Sequence, residues 1–115
     1  MNWDNREEVL KTVKNDGFAL RFASERLKDD KEIVLEALKS NGYTLRFASE
    51  RLRDDTEVVL EAVSKDGWAL KYVSDRLKDN KNVVLEAIKN NGLALVYASN
   101  RVKAAIWKKR EFNDR

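Results

Sequence analysis

The chain has 115 residues, of which 43% are hydrophobic and 37% are charged, so one domain with a modest core under a charged surface is expected. It contains no cysteine and no histidine, which excludes disulfides, thiolate chemistry and the commonest general base and metal ligand. Its 23 basic and 20 acidic residues nearly balance, and its apolar runs are too short for a signal peptide or a membrane span, so we expect a soluble, cytoplasmic protein.

A 25-residue period runs through almost the whole chain. Residues 4–28, 29–53, 54–78 and 79–103 align without an insertion or a deletion. Seven columns are identical in all four units: a leading Asp, a Val-Leu pair, a Gly, a Leu, a Ser and an Arg. A fixed period of this size is typical of a solenoid, in which each unit buries its apolar face only against its neighbours. We therefore predict a single α-repeat domain over residues 1–115, with residues 104–115 as a C-terminal extension.

The first half of each unit has the pattern of a helix. In the second unit, Asp29 and Glu32 form an Asp-x-x-Glu capping box, which predicts that Asp29 caps the helix. Apolar residues follow at Val34, Leu35, Ala37 and Leu38, the spacing of one helical face over about three turns.

A glycine follows the first helix in every unit, and a second helix follows the glycine. We expect each glycine to end the helix in the left-handed conformation of a C-cap. In the second unit, Leu45, Ala48 and Leu52 share one helical face, with Phe47 beside them. The prediction is therefore an all-α solenoid of four helix-turn-helix repeats, with about eight helices of 8 to 12 residues. The four glycines are Gly17, Gly42, Gly67 and Gly92.

The fourth unit is followed by Ala104-Ala105, where an Asp-Asp pair would begin a fifth unit. Because the cap is lost and alanine is a strong helix former, we expect the last helix to run on through Ile106, Trp107 and Phe112.

Residues Val58 to Asp79, VVLEAVSKDGWALKYVSDRLKD, carry the motifs Val-Leu-x-Ala, Gly-x-Ala-Leu and a following Ser, and the other units repeat them in variant form. This pattern resembles the tandem repeats of the family known as domain of unknown function 4116, over residues 4–103. The resemblance implies that each domain of that family spans two of these units. It implies no established activity, and no functional residue can be transferred.

The invariant arginine and serine columns are predicted to be structural, because contacts between units are what all four units share. Each arginine precedes the next unit's acidic cap, so pairing with carboxylates or helix-end carbonyls is expected. The alternative is an arginine ladder that grips phosphates. The serines lack an identifiable base, so a hydrogen bond to their own helix is expected. The arginines are Arg26, Arg51, Arg76 and Arg101, and the serines are Ser24, Ser49, Ser74 and Ser99.

The other charged residues are predicted to serve the fold. The pairs Asp29-Asp30 and Asp54-Asp55 lack calcium-loop spacing and lie where helix caps are needed, so we expect no metal and no cofactor. Arg21, Arg46 and Lys71 are each followed four residues later by an acid, which predicts i, i+4 ion pairs on a solvated face.

Variable positions are better candidates for function. The column Phe18, Tyr43, Trp68 and Leu93 follows each glycine and is always large and apolar, so it either covers the turn or forms an aromatic edge that anchors a partner. Trp3 and Trp107 are expected to be lids over the two ends of the array, whereas an exposed Trp107 would mark an interface.

The charge distribution bears on the class of partner. The four units have net charges of +1, 0, −2 and +2, and residues 104–115 have +2. The excess therefore lies toward the C-terminus, around Lys103, Lys108, Lys109 and Arg110. An array that tracked nucleic acid would carry one basic stripe through every unit.

We therefore expect non-enzymatic binding of a macromolecule, most simply a protein, by an adaptor, scaffold or small inhibitor. The alternative is nucleic-acid binding through the basic C-terminal segment. An enzyme that uses only carboxylates is disfavoured because stacked helices without long loops offer no cleft. The regularity also permits a consensus-designed repeat, but scattered Asn, Ser and Thr at exposed helix positions argue against optimisation.

Overall fold

The computed structural model describes residues 1–113, with side chains described through residue 108. All regular structure in residues 1–113 is helical and forms four copies of one unit, so the predicted all-α solenoid is confirmed. Each unit has three helices rather than the two that were predicted: a long α-helix, a 3₁₀ helix and a short α-helix. The long helices are α1 (Arg6–Asn15), α3 (Lys31–Ser40), α5 (Thr56–Lys65) and α7 (Lys81–Asn90). The 3₁₀ helices are η1 (Gly17–Phe22), η2 (Gly42–Phe47), η3 (Gly67–Tyr72) and η4 (Gly92–Tyr97). The third helices are α2 (Glu25–Lys28), α4 (Glu50–Arg53), α6 (Asp75–Lys78) and the longer α8 (Asn100–Asn113).

Each long helix begins one residue later than the capping-box pattern predicted. In α3 the N-cap is Asp30, whose carboxylate accepts the backbone N–H of Ile33 at 3.3 Å. Asp29 is instead the C-cap of α2, which leaves its carboxylate available to the next unit's short helix. The prediction that Asp29 caps the long helix was therefore wrong by one position. The same cap recurs at Asn5, Asp55 and Asn80.

The turn after each long helix is made by an Asp or Asn rather than by the glycine. Asn41 is extended, and its side chain accepts the N–H of Tyr43 at 2.8 Å, which bends the chain into η2. No glycine within residues 1–113 has a positive φ, so the predicted left-handed C-cap was wrong. The glycine begins the 3₁₀ helix for a different reason, described below.

The expected second helix is interrupted in its middle. In the second unit, Ala48 is extended, with φ −73° and ψ 159°, between η2 and α4. Ser49 then caps α4, and its own N–H donates to the carbonyl of Lys28 in the preceding unit at 3.0 Å. The second helix is interrupted here because the backbone N–H of Ser49 is bonded to the preceding unit and not to a carbonyl of a continuous helix.

The units stack side by side into an elongated array of 58 × 22 × 17 Å. The long helices form one row, the 3₁₀ helices form a second row against them, and the short helices follow along one edge. The core runs the length of the array between these rows. It includes the fully buried residues Val34, Ala37, Leu45 and Leu52 of the second unit, and most of their counterparts in the other units are buried as well.

The last helix extends as predicted. α8 has 14 residues, whereas α2, α4 and α6 have four each. Ile106 is buried on the core, and the side chain of Phe112 lies outside the described residues. Through residue 113, no helix combines the length and the apolar character that a membrane crossing requires.

Candidate functional site: the C-terminal end face

The invariant glycines allow each unit's long helix to approach its predecessor closely. A Cβ placed on Gly17, Gly42 or Gly67 would lie 2.3, 2.2 or 2.5 Å from the carbonyl oxygen of an alanine in the next unit's long helix. These distances are far below van der Waals contact, so only glycine fits at the three internal junctions. At Gly92 no described atom lies within 4 Å of the same position. The fourth unit therefore presents a junction surface against which none of the described residues packs at Gly92.

The fourth unit exposes apolar residues that the first three units bury. Ile88 is half-buried, but Val13, Leu38 and Val63 in its column are fully buried. Leu95 is likewise half-buried, although its column is fully buried in the other units. We call the surface formed by Leu85, Ile88, Gly92, Leu93 and Leu95 the C-terminal end face. Its exposure follows from the absence of a fifth long helix beside α7 in the described residues.

An apolar groove adjoins this face. Leu93, Val96 and Trp107 line it and are 66%, 60% and 64% exposed, and Lys103 lies at the same groove. Val96 stands in a column that is basic in the other units. We call these three apolar residues the end groove. The expectation that Trp107 is a lid was wrong, because α8 runs on past the core and carries the indole into solvent.

The N-terminal end is closed with polar groups. Trp3 is half-buried against Phe22, with ring centroids 5.3 Å apart, so it does cover its end of the array. Glu8 stands in a column that is Ile or Val and fully buried in the other units, and its carboxylate accepts the N–H of Asn2 at 3.0 Å. Thr12 stands where the other units have a buried Ala. The N-terminal end of the array is therefore polar, whereas the C-terminal end exposes apolar side chains.

The aromatic column forms contacts between units. The ring centroids of Phe18 and Phe47 are 6.3 Å apart and those of Trp68 and Tyr97 are 6.0 Å apart, both edge to face. Each of these rings packs on an aromatic ring of the following unit. Phe18 and Trp68 remain 36% and 37% exposed. Leu93 is the fourth member of the column and contacts no following ring in the described residues.

Tyr43 makes the corresponding contact between the second and third units. Its ring lies 5.3 Å from that of Tyr72, and the two hydroxyl groups are 3.0 Å apart. Since Tyr43 is half-buried, most of its surface is committed to the fold. A partner at this edge would meet only the outer parts of the rings.

Cations lie over these rings instead of pairing along a helix. The guanidinium of Arg46 is 5.1 Å from the ring centroid of Phe47 and 5.6 Å from that of Tyr72, and Arg21 is 4.4 Å from that of Phe22. Within residues 1–108 no salt bridge joins Arg21, Arg46 or Lys71 to the acid four residues later. The predicted i, i+4 pairs were wrong because the helix is interrupted between the two charges.

The arginine column ties consecutive short helices together. Arg51 donates from Nε to the carboxylate of Asp29 at 2.8 Å and from Nη2 to the Asp29 carbonyl at 2.7 Å. Ser49 Oγ donates to the same carboxylate at 2.6 Å. The partner lies 22 residues upstream, at the end of the preceding short helix, and not in the acidic cap that follows. Equivalent bonds recur in every unit.

This ladder is unsuited to nucleophilic chemistry or to gripping phosphates. Hydrogen bonds from Ser49 and Arg51 lower the pKa of Asp29, and the equivalent serine and arginine of each other unit lower the pKa of Asp4, Asp54 and Asp79. These carboxylates are therefore weak bases toward the serines. Although the arginine side chains are exposed, an aspartate compensates each one. Among the described residues no group of three or more acidic side chains is placed to hold a metal ion.

The family model described as "Domain of unknown function (DUF4116)" matches residues 5–53 and again residues 55–103. The chain belongs to this family. Each DUF4116 match spans two of the 25-residue units, as the resemblance implied. No curated protein and no solved structure matches the chain.

The remaining candidates of this DUF4116 protein lie at its C-terminus. Lys108 is exposed on α8, one residue from Trp107, and the side chains of Lys109 and Arg110 lie outside the described residues. Val96 and the end face were not among the candidates predicted from the sequence. The available signals were an apolar residue in a basic column and the loss of the Asp-Asp pair after residue 103.

Proposed function

We propose that this DUF4116 protein is a non-enzymatic binding scaffold that holds a partner protein at the C-terminal end face and the end groove. The observation that supports this most is the exposure of Leu93, Val96 and Trp107, which all line one groove and are each more than half exposed. Exposed apolar patches of this kind, next to polar residues, mark interaction surfaces in soluble proteins.

The stacked array presents this surface rigidly. Trp107 lies on α8, which is anchored by Val102 and Ile106 in the core. Leu93 lies at the start of η4, where its backbone N–H donates to the side chain of Asn91. This protein therefore loses little conformational entropy when a partner covers the groove. A buried tryptophan at the centre of an interface is a typical hot spot, worth about 2 kcal/mol or more when truncated.

Nucleic-acid binding remains the alternative, and the positions of the charges favour it less. The arginine ladder is compensated by aspartates, and the third unit has a net charge of −2, so no continuous basic stripe follows the array. Lys103, on α8, lies at the edge of the apolar groove, which suits an interface with a polar rim.

Site-specific photo-crosslinking tests the proposal. A photoreactive phenylalanine at position 96 should give a discrete protein adduct in the source cell. The same probe at position 46, in the equivalent column of the second unit, is the matched control and should not give it. The double variant Leu93→Ser, Trp107→Ser should remove the adduct while circular dichroism stays unchanged. Equal adducts from both positions, or adducts with nucleic acid only, would contradict the proposal.

A further inference from the structure

We propose that the occupant of the C-terminal end face is an amphipathic helix of another protein that stacks beside α7 as a fifth long helix, with acidic residues in its first turn. This inference rests on the proposed function and names the partner's chemistry.

The first argument is the charge rule at the junctions. Arg6 donates to Asp30, at 2.7 Å, and to Glu32, both at the start of α3. Lys31 lies 3.0 Å from Asp55 and 2.8 Å from Glu57, both at the start of α5. A cation at the first position of a long helix thus pairs with two acids at the start of the next one, the N-cap and a first-turn residue.

The third junction lacks both the cation and the acids, which is consistent with this rule. Thr56 takes the place of the cation, and the two facing positions are Asn80 and Asn82 instead of acids. Charge is therefore present on both sides of a junction or absent from both. Lys81, on α7, is again a cation, and it has no acidic partner among the described residues. The rule predicts a helix with two acids in its first turn beside Lys81.

The second argument is the backbone approach at Gly92. At all three internal junctions the next long helix brings an alanine carbonyl against the glycine. At two of them, a polar side chain near the end of that helix also accepts the glycine N–H. Gly17 N–H donates to Ser40 Oγ at 2.9 Å, and Gly67 N–H donates to Asn90 Oδ1 at 2.7 Å. Within the described part of the chain, Gly92 has no such acceptor and no atom in the corresponding space. The occupant therefore carries a small residue near the end of its second turn.

The chain itself shows the apolar register that fits. Ile33, Val34, Ala37 and Leu38 of α3 are fully buried. An occupant with the pattern Asp-x-Glu-Ile-Val-x-x-Ala would reproduce both the charges and the packing of an internal junction.

A second copy of this chain fits the face poorly in either orientation. Its N-terminal unit would press Glu8 and Thr12 against positions that receive a buried Ile or Val and a buried Ala at internal junctions, and burying an unpaired carboxylate is costly. Two C-terminal faces placed together would oppose Lys81 and Lys103 with their own copies. A heterologous helix with acidic residues avoids both penalties.

The test uses the full chain and a synthetic peptide with the sequence of residues 29–53, which contains the acidic first turn, the alanine and the serine of an internal junction. In an NMR titration, the peptide should shift resonances of α7 and η4. Gly92→Ala should weaken binding at least about tenfold, because the new Cβ occupies the approach, without loss of stability. Lys81→Glu should weaken it about fivefold, and Lys11→Glu, the same charge change on α1, should leave it unchanged.

A charge reversal completes the experiment. A peptide with Asp30→Lys and Glu32→Lys should bind the Lys81→Glu protein better than it binds the wild type. Peptide binding that is indifferent to Gly92→Ala and Lys81→Glu, or no binding at all, overturns the inference; the proposed function then still stands if the cross-link at position 96 persists. Self-association of the unliganded protein that Gly92→Ala abolishes would also overturn it, since the occupant would be a second copy.

Discussion

Gly42→Ala is the substitution that most directly tests how the units are held together. Gly42 begins η2 at the centre of the array and faces the carbonyl of Ala62. Its φ is not positive, so alanine is acceptable to the local backbone. Any loss of stability must therefore come from the contact between units and not from strain at the residue itself.

The size of the effect follows from the geometry. The new Cβ would lie 2.2 Å from the Ala62 oxygen, whereas ordinary contact begins at 3.4 Å, so the units must separate by about 1 Å. A gap of that size removes a quarter to a half of the dispersion energy of the facing atoms. We expect a loss of about 3 kcal/mol and a fall in Tm of about 10 °C.

Gly92→Ala is the matched control. It makes the same chemical change in the same column, but no described atom meets the new methyl group. Reduced freedom of the unfolded chain should then stabilise the protein by about 0.5 kcal/mol. Tm from calorimetry and amide hydrogen exchange in α3 and α5 would measure both variants. If the two substitutions have equal effects, the close approach between units does not explain the glycine column.

Three further predictions concern the ladder, the aromatic edge and the end groove. Because Ser and Arg donors lower the pKa of Asp29 and its counterparts, the folded state binds fewer protons than the unfolded state. The stability that the ladder contributes is therefore full at neutral pH and is lost as pH falls below about 3.8. The urea midpoint should fall over this pH range, and it should fall less in Ser49→Ala. A midpoint that rises on acidification would contradict this. Tyr43→Phe should cost about 1 kcal/mol through the lost hydrogen bond to Tyr72, and Tyr43→Ala about 2 kcal/mol; equal urea midpoints for the two variants would exclude the ring contact. Trp107→Phe should remove the most iodide-accessible tryptophan fluorescence, and a larger effect of Trp3→Phe would show that the groove is covered.

The sequence predicted the fold class, the period and the core columns because these depend on a local apolar pattern repeated four times. Val34, Ala37, Leu45 and Leu52 are buried as expected. The break at Ala48 was not predictable in the same way, because it depends on a hydrogen bond between Ser49 and Lys28 in the preceding unit. Local propensity favours one continuous helix, and tertiary bonding overrides it.

For the candidate site as well, the sequence predicted what depends on local pattern and not what depends on tertiary contacts. The sequence identified Trp107 as a lid or an interface, and only the course of α8 shows that the ring is exposed. The glycines were assigned to a left-handed cap because local rules favour it, although their role is close packing across a junction. The importance of Lys81 is visible only when the partners of Arg6 and Lys31 are known.

The polar first unit gives the array a direction, because growth by stacking is blocked at one end and open at the other. Glu8 and Thr12 act as a terminator: without them, the first unit of one molecule would be a good fifth unit for another. A contact of that kind joins two different surfaces and does not close, so it produces filaments. Glu8→Val combined with Thr12→Ala should therefore turn a discrete particle into a concentration-dependent polymer in sedimentation velocity, and further addition of Gly92→Ala should restore the discrete particle.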